Sequence, residues 1–325
     1  ERRITINEIG EGPPAAGLEI SITGNNYRDI TPIALLLVNE LATIAGVENV
    51  ASNVSEARDE VIVYDNFSTG QRKFLEAVVA RENLRLIEAD LLDEERLNEA
   101  MHEVDFVWHL AANADVRFGT KRPRRDLEQN TVATSNVLEA MRRNRVRKIC
   151  FSSTGSVYGE APVIPTPEDC PFPLQTSFYG ASKLAGESLI SAYCEGFGMQ
   201  AWVFRFVSIL GERYTHGHVF DFYQQLLADP KKLHILGDGQ QRKSYLYIDD
   251  CLDAMFLAVR KAVNKVNVLN LGTDEYIEVN DSVKIITRHL GLDPRRTYEG
   301  GDRGWIGDNP FIFLDCSRMR SLGWS

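Results

Sequence analysis

The stretch Lys148-Ile-Cys-Phe-Ser-Ser-Thr154 decides the fold class, because a short apolar run ends there in three hydroxyl side chains. A run of this length between polar residues is typical of a strand that is buried on both faces of a sheet. The segment from Tyr179 to Gly196 is predicted to be a helix. Parallel α/β sheets bind their ligands at the carboxyl ends of strands, so we expect Thr154 to lie at a ligand-binding edge.

Strands and helices alternate on both sides of this unit. Strands are predicted at 61–64, 84–88, 104–110 and 201–206, and helices at 92–103 and 127–144. This alternation predicts an α/β fold, a doubly wound parallel sheet that is Rossmann-like with an atypical first βαβ unit. Beyond residue 207 the loops lengthen and the helices shorten (219–227, 249–262, 279–289), which indicates a smaller C-terminal substrate-binding domain. We expect residues 1–60 to complete the sheet, 61–206 to form the Rossmann-like domain and 207–325 to bind mainly substrate.

The composition excludes several classes of protein. With 325 residues, 44% of them hydrophobic and 25% charged, the chain is typical of a globular protein with a large core. A formal net charge of −10 argues against nucleic acid as a partner. The five cysteines are scattered without metal-ligand spacing, so we expect no metal and no disulfide framework. No apolar run is long enough to span a membrane and no signal region is present, which favours a cytoplasmic protein.

Tyr179 and Lys183 are four residues apart and therefore share one face of the predicted helix. A tyrosine is a poor base at neutral pH, but a nearby cation stabilises the phenolate and lowers its pKa. A Tyr–Lys pair at this spacing is also common by chance on a protein surface. Its position after a strand that ends in Thr154, a hydroxyl able to orient a substrate oxygen, favours a catalytic set of Thr154, Tyr179 and Lys183.

A series of motifs follows in order along the chain: Val61-Ile-Val-Tyr-Asp65-Asn66-Phe-Ser68, Glu88-Ala-Asp90-Leu91, His109-Leu-Ala-Ala112-Asn113, Asn130, Phe151-Ser-Ser-Thr154-Gly-Ser-Val-Tyr158-Gly159, Tyr179-Gly-Ala-Ser-Lys183, Gly237-Asp-Gly239-Gln-Gln-Arg-Lys-Ser-Tyr245 and Gly300-Gly-Asp-Arg303-Gly-Trp. By these motifs the chain from about residue 60 onward resembles the extended short-chain dehydrogenase/reductase family, and within it the UDP-glucose (UDP-galactose) 4-epimerases. The 25-residue separation of Thr154 and Tyr179 also matches the family's hydroxyl-to-tyrosine spacing.

The resemblance implies C4 epimerisation of a UDP-sugar through a 4-keto intermediate with NAD as a recycled cofactor. In that chemistry Tyr179 is the general base for the C4 hydroxyl. Lys183 holds the nicotinamide ribose and lowers the pKa of Tyr179, and Thr154 bonds the same substrate oxygen.

The resemblance also implies binding residues. Asp65 accepts the adenosine ribose hydroxyls, which favours NAD over NADP; the alternative for Asp65 is a plain turn residue. For the substrate diphosphate we expect Arg303 with Arg242 or Lys243, because phosphates need charged donors. A homodimer is expected through the helices near 131–144 and 179–196. The remaining cofactor-binding residues are Asn66, Asp90, Leu91, Leu110, Ala111, Ala112 and Asn130 with Tyr179 and Lys183, and the remaining substrate-binding residues are Asn113, Ser153, Ser208 and His218.

Two positions narrow the chemistry. The related sugar-nucleotide 4,6-dehydratases carry Asp-Glu directly after the threonine, and the related UDP-glucuronate decarboxylases carry a glutamate before Val-Tyr-Gly. Gly155 and Ser156 occupy these positions here and supply neither acid nor base. Epimerisation remains, either of UDP-glucose and UDP-galactose or, as the alternative, of UDP-glucuronate. An alternative of another class is a chimeric or inactive scaffold with impaired NAD binding.

The first 60 residues depart from the family. A TGxxGxxG loop that holds the pyrophosphate should follow the first strand, but Tyr27 and Ile30 stand where its second and third glycines belong. Residues 18–23, 33–44 and 46–50 bear a weaker likeness to the porter region of RND-type efflux transporters, which implies a local βαβ unit in a composite chain. We therefore expect cofactor affinity to be the property most affected. The basic run from Lys121 to Arg125 is interpreted as a solvated loop.

Overall fold

The computed structural model describes residues 3–9, 17–23, 36, 60–114, 119–172, 174–305, 307–309 and 311–325. Its strands are β1 Arg3–Ile9, β2 Gly17–Thr23, β3 Val61–Asp65, β4 Leu84–Glu88, β5 Phe106–His109, β6 Lys148–Thr154, β7 Gln200–Phe206, β8 Ser208–Leu210, β9 Lys232–Ile235, β10 Arg242–Lys243, β11 Tyr245–Tyr247, β12 Val266–Leu271, β13 Ile277–Glu278, β14 Arg295–Tyr298 and β15 Phe311–Ile312. The α-helices are Glu94–Ala100, Pro123–Asp126, Ala133–Arg143, Phe178–Phe197, His218–Ala228, Ile248–Lys261, Val279–Leu290 and Ser317–Ser321, with π-helical Leu127–Val132 and 3-10 turns at Arg72–Leu75 and Gly155–Tyr158.

The largest sheet of the described residues is parallel and has the strand order β12-β7-β6-β5. Lys148 of β6 is opposite Gln200 of β7, and the pairing runs without a break to Thr154 opposite Phe206. The parallel register brings the carboxyl ends of β6 and β7 to one edge. The predicted α/β fold with a parallel sheet is thereby confirmed, and Thr154 lies at the expected edge.

Alternate residues of β6 and β7 enter two separate hydrophobic clusters, one on each face of the sheet. Cys150 and Phe204 belong to the cluster that includes the Ile248–Lys261 helix. Phe151 and Val203 belong to the cluster that includes the Ala133–Arg143 and Phe178–Phe197 helices. Full burial of a large apolar side chain such as Phe151 or Phe204 contributes about 1.5–3 kcal/mol to the free energy of unfolding. Packing against helices therefore stabilises both faces of the sheet.

The Phe178–Phe197 helix begins and ends at residues suited to those positions. The Ser177 hydroxyl accepts a hydrogen bond from the Gly180 amide at 3.0 Å, and Gly198 ends the helix in the left-handed region at φ 64°. A Cβ on Gly186 would lie 2.9 Å from Phe151 Cζ, so this glycine allows the helix to approach β6 closely. The helix is thus fixed in position over the strand that ends at Thr154.

The N-terminal strands form a hairpin-like pair that the sequence did not predict. The expected strand 18–23 is present as β2, which pairs antiparallel with β1 from Gly17 opposite Ile9 to Thr23 opposite Arg3. The predicted helix 33–44, apart from Leu36, and the segment 46–50 lie outside the described residues. Contacts divide the chain into two compact units, Glu1–Val63 with Val78–Arg85, and Tyr64–Ala77 with Leu86–Ser325. The composite origin and the three-part domain division stay predictions.

The part after residue 207 contains short strand pairs between helices. Strand β8 pairs with β11, β9 with β14, and β10 with both β13 and β15. The three helices predicted there are present within a residue or two of their expected ends. Among the described residues, no helix has both the length and the apolar character that crossing a membrane requires.

Candidate active site and cofactor pocket

Three consecutive residues at the end of β6 each contact a residue on one face of the Phe178–Phe197 helix. The Ser152 carbonyl accepts a hydrogen bond from Lys183 Nζ at 2.7 Å. The buried Ser153 hydroxyl donates to Glu187, and Thr154 forms a side-chain hydrogen bond with Tyr179. Residues 179, 183 and 187 are spaced by four, so they share one helix face. The structure therefore brings the predicted set of Thr154, Tyr179 and Lys183 together.

Thr154 also caps the turn that follows β6. Its Oγ1 accepts a hydrogen bond from the Ser156 amide at 3.1 Å. A Cβ on Gly155 would lie 2.6 Å from Ile312 Cγ2 and 3.2 Å from the Phe206 carbonyl oxygen. The site has no room for a side chain at this position, so the acid that dehydratases carry there does not fit. Packing thus gives a physical reason for the glycine that the sequence singled out.

The electrostatic surroundings of Tyr179 differ from the expectation. Removal of the phenol from solvent raises the pKa of Tyr179 to about 12, and the negative charge of Asp126 adds to this rise. The hydrogen bond with Thr154 acts in the opposite direction. The expected lowering of this pKa by Lys183 is not found, because the ammonium is directed to the Ser152 carbonyl and to the face of Phe151, 4.6 Å from the ring centroid.

Lys183 is a buried cation, with 1% of its surface exposed. Burial lowers the pKa of Lys183 to about 7, and the nearby carboxylate of Glu187 opposes this shift. His109, at the end of β5, is equally enclosed and hydrogen-bonded to Thr134 at 2.8 Å. Burial and then the charge of Lys183 lower the pKa of His109 to about 3. His109 is therefore neutral across the physiological range.

A cavity of about 600 Å³ opens beside Thr154. Of the predicted catalytic residues, Thr154 lines this cavity. Tyr179 is hydrogen-bonded to Thr154 but is not among the lining residues. Ser156 and Ser177 also line it, and they add hydroxyl groups next to Thr154. A volume of this size is within the range of small-molecule and cofactor sites.

The predicted substrate residues divide into two groups. Ser208, His218 and Lys243 line the cavity, as expected for a substrate site. Lys243 Nζ donates to Asp308 Oδ1 and to the Asn309 carbonyl, each at 3.0 Å. Burial and then the charge of Lys243 lower the pKa of His218 to about 4, so His218 is neutral at pH 7.

The structure places the other predicted substrate residues away from the cavity lining. Arg242 stacks on Phe311, 4.2 Å from the ring centroid, and Arg303 binds Glu160 at 2.6 Å. The Ser153 hydroxyl donates a hydrogen bond to Glu187, and Asn113 lines a second pocket. The sequence identified suitable cations, but neighbouring carboxylates and aromatic rings hold two of them.

The sequence did not single out Gln241 as a site residue, although it belongs to the motif that begins at Gly237. Its side chain lines the cavity, it is 5% exposed, and among the described residues neither amide atom has a hydrogen-bond partner. Gly237, at φ 72°, makes room for the amide, since a Cβ there would lie 1.7 Å from Gln241 Nε2. A buried amide without partners costs free energy, which a hydrogen-bonding ligand would offset.

The second pocket, of about 170 Å³, collects most of the predicted cofactor residues. Asp90 is not among the residues that line this pocket, but it accepts a hydrogen bond at 2.7 Å from Nδ2 of Asn66, which is one of them. Burial acts to raise the pKa of Asp90, but hydrogen bonds from the Leu92 amide, Asn66 and Gln129 lower it overall. The predicted residues that line this pocket are Asp65, Asn66, Leu91, Leu110, Ala111 and Ala112.

Asn130 has a supporting position next to this pocket. It is 2% exposed, its Oδ1 accepts from the Asn113 amide at 2.7 Å, and its Nδ2 donates to Ser182 Oγ at 2.9 Å. It thereby ties the loop after β5 to the Phe178–Phe197 helix. Asn130 therefore orders the pocket wall, and it is not among the residues that line the pocket.

The chemistry of the second pocket fits the adenosine end of a dinucleotide. Asp65 offers carboxylate oxygens suited to a ribose diol, and one of them also accepts from the Phe67 amide at 2.6 Å. Gly70 lies next to this carboxylate, since a Cβ there would be in van der Waals contact with both Asp65 oxygens at 3.4 Å. Arg125 also lines the pocket, whereas residues 121–124 of the basic run are exposed. The segment 24–35, where the glycine loop is expected, lies outside the described residues.

The comparisons with known proteins agree with one another. The model of the NAD dependent epimerase/dehydratase family matches residues 48–272. The UDP-glucose 4-epimerase of Corynebacterium glutamicum is 32% identical over 299 residues, which are 85% of this chain and 86% of the relative. A crystal structure of UDP-galactose 4-epimerase has a TM-score of 0.72 and 36% identity, covering 82% of this chain and 84% of its own. The Bacillus cereus UDP-glucuronic acid 4-epimerase, in complex with UDP-glucuronic acid and NAD, has a TM-score of 0.75 and 26% identity over 82% and 85%.

Proposed function

This chain belongs to the NAD dependent epimerase/dehydratase family, and on that premise we propose that it epimerises a UDP-sugar of the UDP-glucose/UDP-galactose type at C4. The observation that carries the proposal is the contact of Thr154 with both Tyr179 and a cavity of about 600 Å³. NAD is the cofactor, and the pocket around Asp65, Asn66 and Leu110 would hold its adenosine end.

Thr154 and Tyr179 have different roles at the C4 hydroxyl of the sugar. Thr154 bonds the C4 oxygen of the sugar, and the C4 hydroxyl proton is taken up by Tyr179. The pocket around Asp65 and Asn66 would hold NAD, which would supply reversible hydride acceptance at C4 of the sugar. Tyr179 gives its proton back to the C4 oxygen in the second half, so protons and hydride balance over the cycle.

Tyr179 needs positive charge close to its phenol to act as a base at neutral pH. Its pKa of about 12 reflects burial, and each unit of pKa corresponds to about 1.4 kcal/mol. We assign this role to Lys183, the cation on the same helix face, whose ammonium donates to the Ser152 carbonyl in the structure and would have to turn toward the phenol. Lys183 therefore has to be protonated during the proton transfer.

The charges that line the cavity favour a neutral sugar. Among the described lining residues Lys243 is the one lysine or arginine, and it is already bonded to Asp308. Asp221 adds a second carboxylate to the lining. If Lys243 binds the diphosphate of the substrate, the described lining offers no second lysine or arginine to a C6 carboxylate. UDP-glucuronate, the ligand of the Bacillus cereus relative, is therefore the second candidate substrate.

Purified protein incubated with UDP-galactose, UDP-glucose or UDP-glucuronate, with product sugars separated by chromatography, tests the proposal. We expect interconversion of the first two, and NAD released from the protein on denaturation. Preferential turnover of UDP-glucuronate would transfer the function to the second candidate. Absence of both NAD and turnover would favour the alternative of an inactive or chimeric scaffold.

We also propose a homodimer. Apolar side chains are exposed near the two helices expected at the interface: Leu127 is 53% exposed, Val132 38%, Phe178 49% and Phe197 42%. Light scattering during size-exclusion chromatography is expected to give about twice the monomer mass, and a monomer at micromolar concentration would contradict it. The cytoplasmic location stays a prediction.

A further inference from the structure

Glu187 connects three elements of the site through one buried carboxylate. It lies one helical turn beyond Lys183 and is 7% exposed. Its carboxylate accepts a hydrogen bond from the hydroxyl of Ser153 on β6. It also accepts two hydrogen bonds from Arg205 on β7, from Nε at 3.1 Å and from Nη2 at 2.7 Å. The two-point contact with a guanidinium fixes the orientation of the carboxylate as well as its position.

Arg205 extends this connection toward the residues that follow Thr154. It is 3% exposed, and its Nη1 donates to Tyr158 Oη at 2.7 Å and to the Glu168 carbonyl at 3.0 Å. The Tyr158 hydroxyl in turn donates to Asn270 Oδ1 on β12 at 2.9 Å. The helix that carries Tyr179 and Lys183 is thereby joined to three neighbouring strands of the sheet.

We propose that Glu187 is a positioning residue of the active site, which holds the helix in register with β6 and keeps Lys183 cationic. The proposal rests on the proposed C4 epimerisation. Its geometric basis is the series of contacts in which residues 152, 153 and 154 meet residues 183, 187 and 179. Glu187 makes the middle contact one helical turn from Lys183, and its carboxylate is held there by Ser153 and Arg205.

The groups around Lys183 come from four elements. Tyr179 and Glu187 lie on its own helix, His109 on β5, the Ser152 carbonyl and Phe151 ring on β6, and Arg205 on β7 behind Glu187. Of these, Glu187 is the group that raises the pKa of Lys183 against burial, while His109 is neutral and Arg205 is bonded to Glu187. Loss of the Glu187 charge must therefore lower the Lys183 pKa.

Glu187→Gln tests the charge, because it keeps the shape and removes the negative charge. Lys183 is followed directly by NMR of protein labelled with [ε-13C]lysine, with its signal assigned by its loss in Lys183→Arg. We expect the titration midpoint of Lys183 to fall by about one pH unit. The alkaline limb of kcat should move to lower pH by the same amount, because less Lys183 is protonated at a given pH.

Glu195→Gln is the matched control on the same helix. Glu195 is 79% exposed in its side chain and pairs with Lys265 at 2.7 Å, so this variant should leave both the titration and the kcat profile unchanged. Glu187→Asp keeps the charge but withdraws the carboxylate, and it should retain the Lys183 midpoint while kcat falls several-fold. An unchanged Lys183 midpoint in Glu187→Gln would overturn the proposal and leave Glu187 a structural residue only.

If Glu187→Gln does not fold, Ser153→Ala decides the matter, because it removes the middle contact without removing charge. It should lower kcat several-fold with KM for the UDP-sugar and the Lys183 midpoint unchanged; an unaltered kcat would contradict the positioning role. The NMR titration does not depend on turnover. If the Lys183 midpoint falls in Glu187→Gln but the wild-type protein has no epimerase activity, the proposed function is contradicted and the role of Glu187 is not.

Discussion

Lys183 Nζ donates a 2.7 Å hydrogen bond to the carbonyl oxygen of Ser152, at a site where 1% of the lysine is exposed. The pKa of Lys183 is about 7 in the folded protein and about 10.5 when the chain unfolds. Between these values the unfolded chain binds more protons, so stability rises as the pH increases from 7 toward 10.5.

Lys183→Met should remove this part of the pH dependence. The wild-type free energy of unfolding, relative to that of the variant, is expected to increase by roughly 2–5 kcal/mol between pH 7 and pH 10. Urea unfolding at several pH values measures it, and parallel curves for the two proteins would contradict the buried, weakly basic lysine. Epimerase activity of the variant should fall by about 10²-fold or more.

Arg125→Ala should weaken NAD binding, because among the described residues that line the pocket around Asp65 it is the one lysine or arginine. A dinucleotide carries negative phosphates, and loss of one charged contact is expected to raise Kd by about tenfold. Arg124→Ala is the control, since Arg124 is 85% exposed in its side chain and pairs with Glu128. Calorimetric titration of each variant at low and high salt measures the effect, and equal Kd values for the two variants would contradict it.

Gln241→Leu should separate ligand binding from stability. Both amide atoms of Gln241 lack partners in the described structure, so replacing the amide should leave the Tm unchanged or raise it. Binding of UDP, the common part of the candidate substrates, is expected to weaken by about five- to tenfold. Gln240→Leu, at an exposed neighbour, provides the comparison. A lower Tm with unchanged UDP affinity would show that the amide serves the fold.

Gly155→Ala is expected to destabilise the protein by about 1–3 kcal/mol, because the added methyl group would meet Ile312 and the Phe206 carbonyl. Gly196→Ala is the counterpart, since a Cβ at Gly196 would have no heavy atom within 4 Å and alanine favours a helix. Thermal unfolding of the pair measures the difference. Equal Tm values would indicate that the turn after Thr154 relaxes without strain.

The sequence predicted the parts of the fold that local patterns determine. Strand 84–88 was predicted at its observed bounds, and the four-residue spacing of Tyr179 and Lys183 placed both side chains on one helix face. The seven-residue strand Arg3–Ile9 was not predicted. The short strand pairs after residue 207 were not predicted either, since strands of two to four residues are too short to show a period and depend on their partners.

The candidate site was predicted less completely, because a residue type does not reveal its partner. Arg242 and Arg303 were reasonable phosphate donors until Phe311 and Glu160 were seen to hold them. Arg125 and Gln241 were missed for the opposite reason, since only the tertiary fold directs them into pockets. The pKa of Tyr179 likewise depends on burial and on Asp126, which no spacing in the sequence specifies.

The bond from Lys183 to a main-chain oxygen has a consequence for natural variation. Every amino acid at position 152 presents the same carbonyl, so mutation of Ser152 leaves the acceptor of the Lys183 bond in place. Position 153 is constrained differently, because the Ser153 side chain itself donates a hydrogen bond to the Glu187 carboxylate. Substitutions at 152 should therefore remove only the bond of the Ser152 hydroxyl to the His109 carbonyl, whereas substitutions at 153 should occur together with changes at 187.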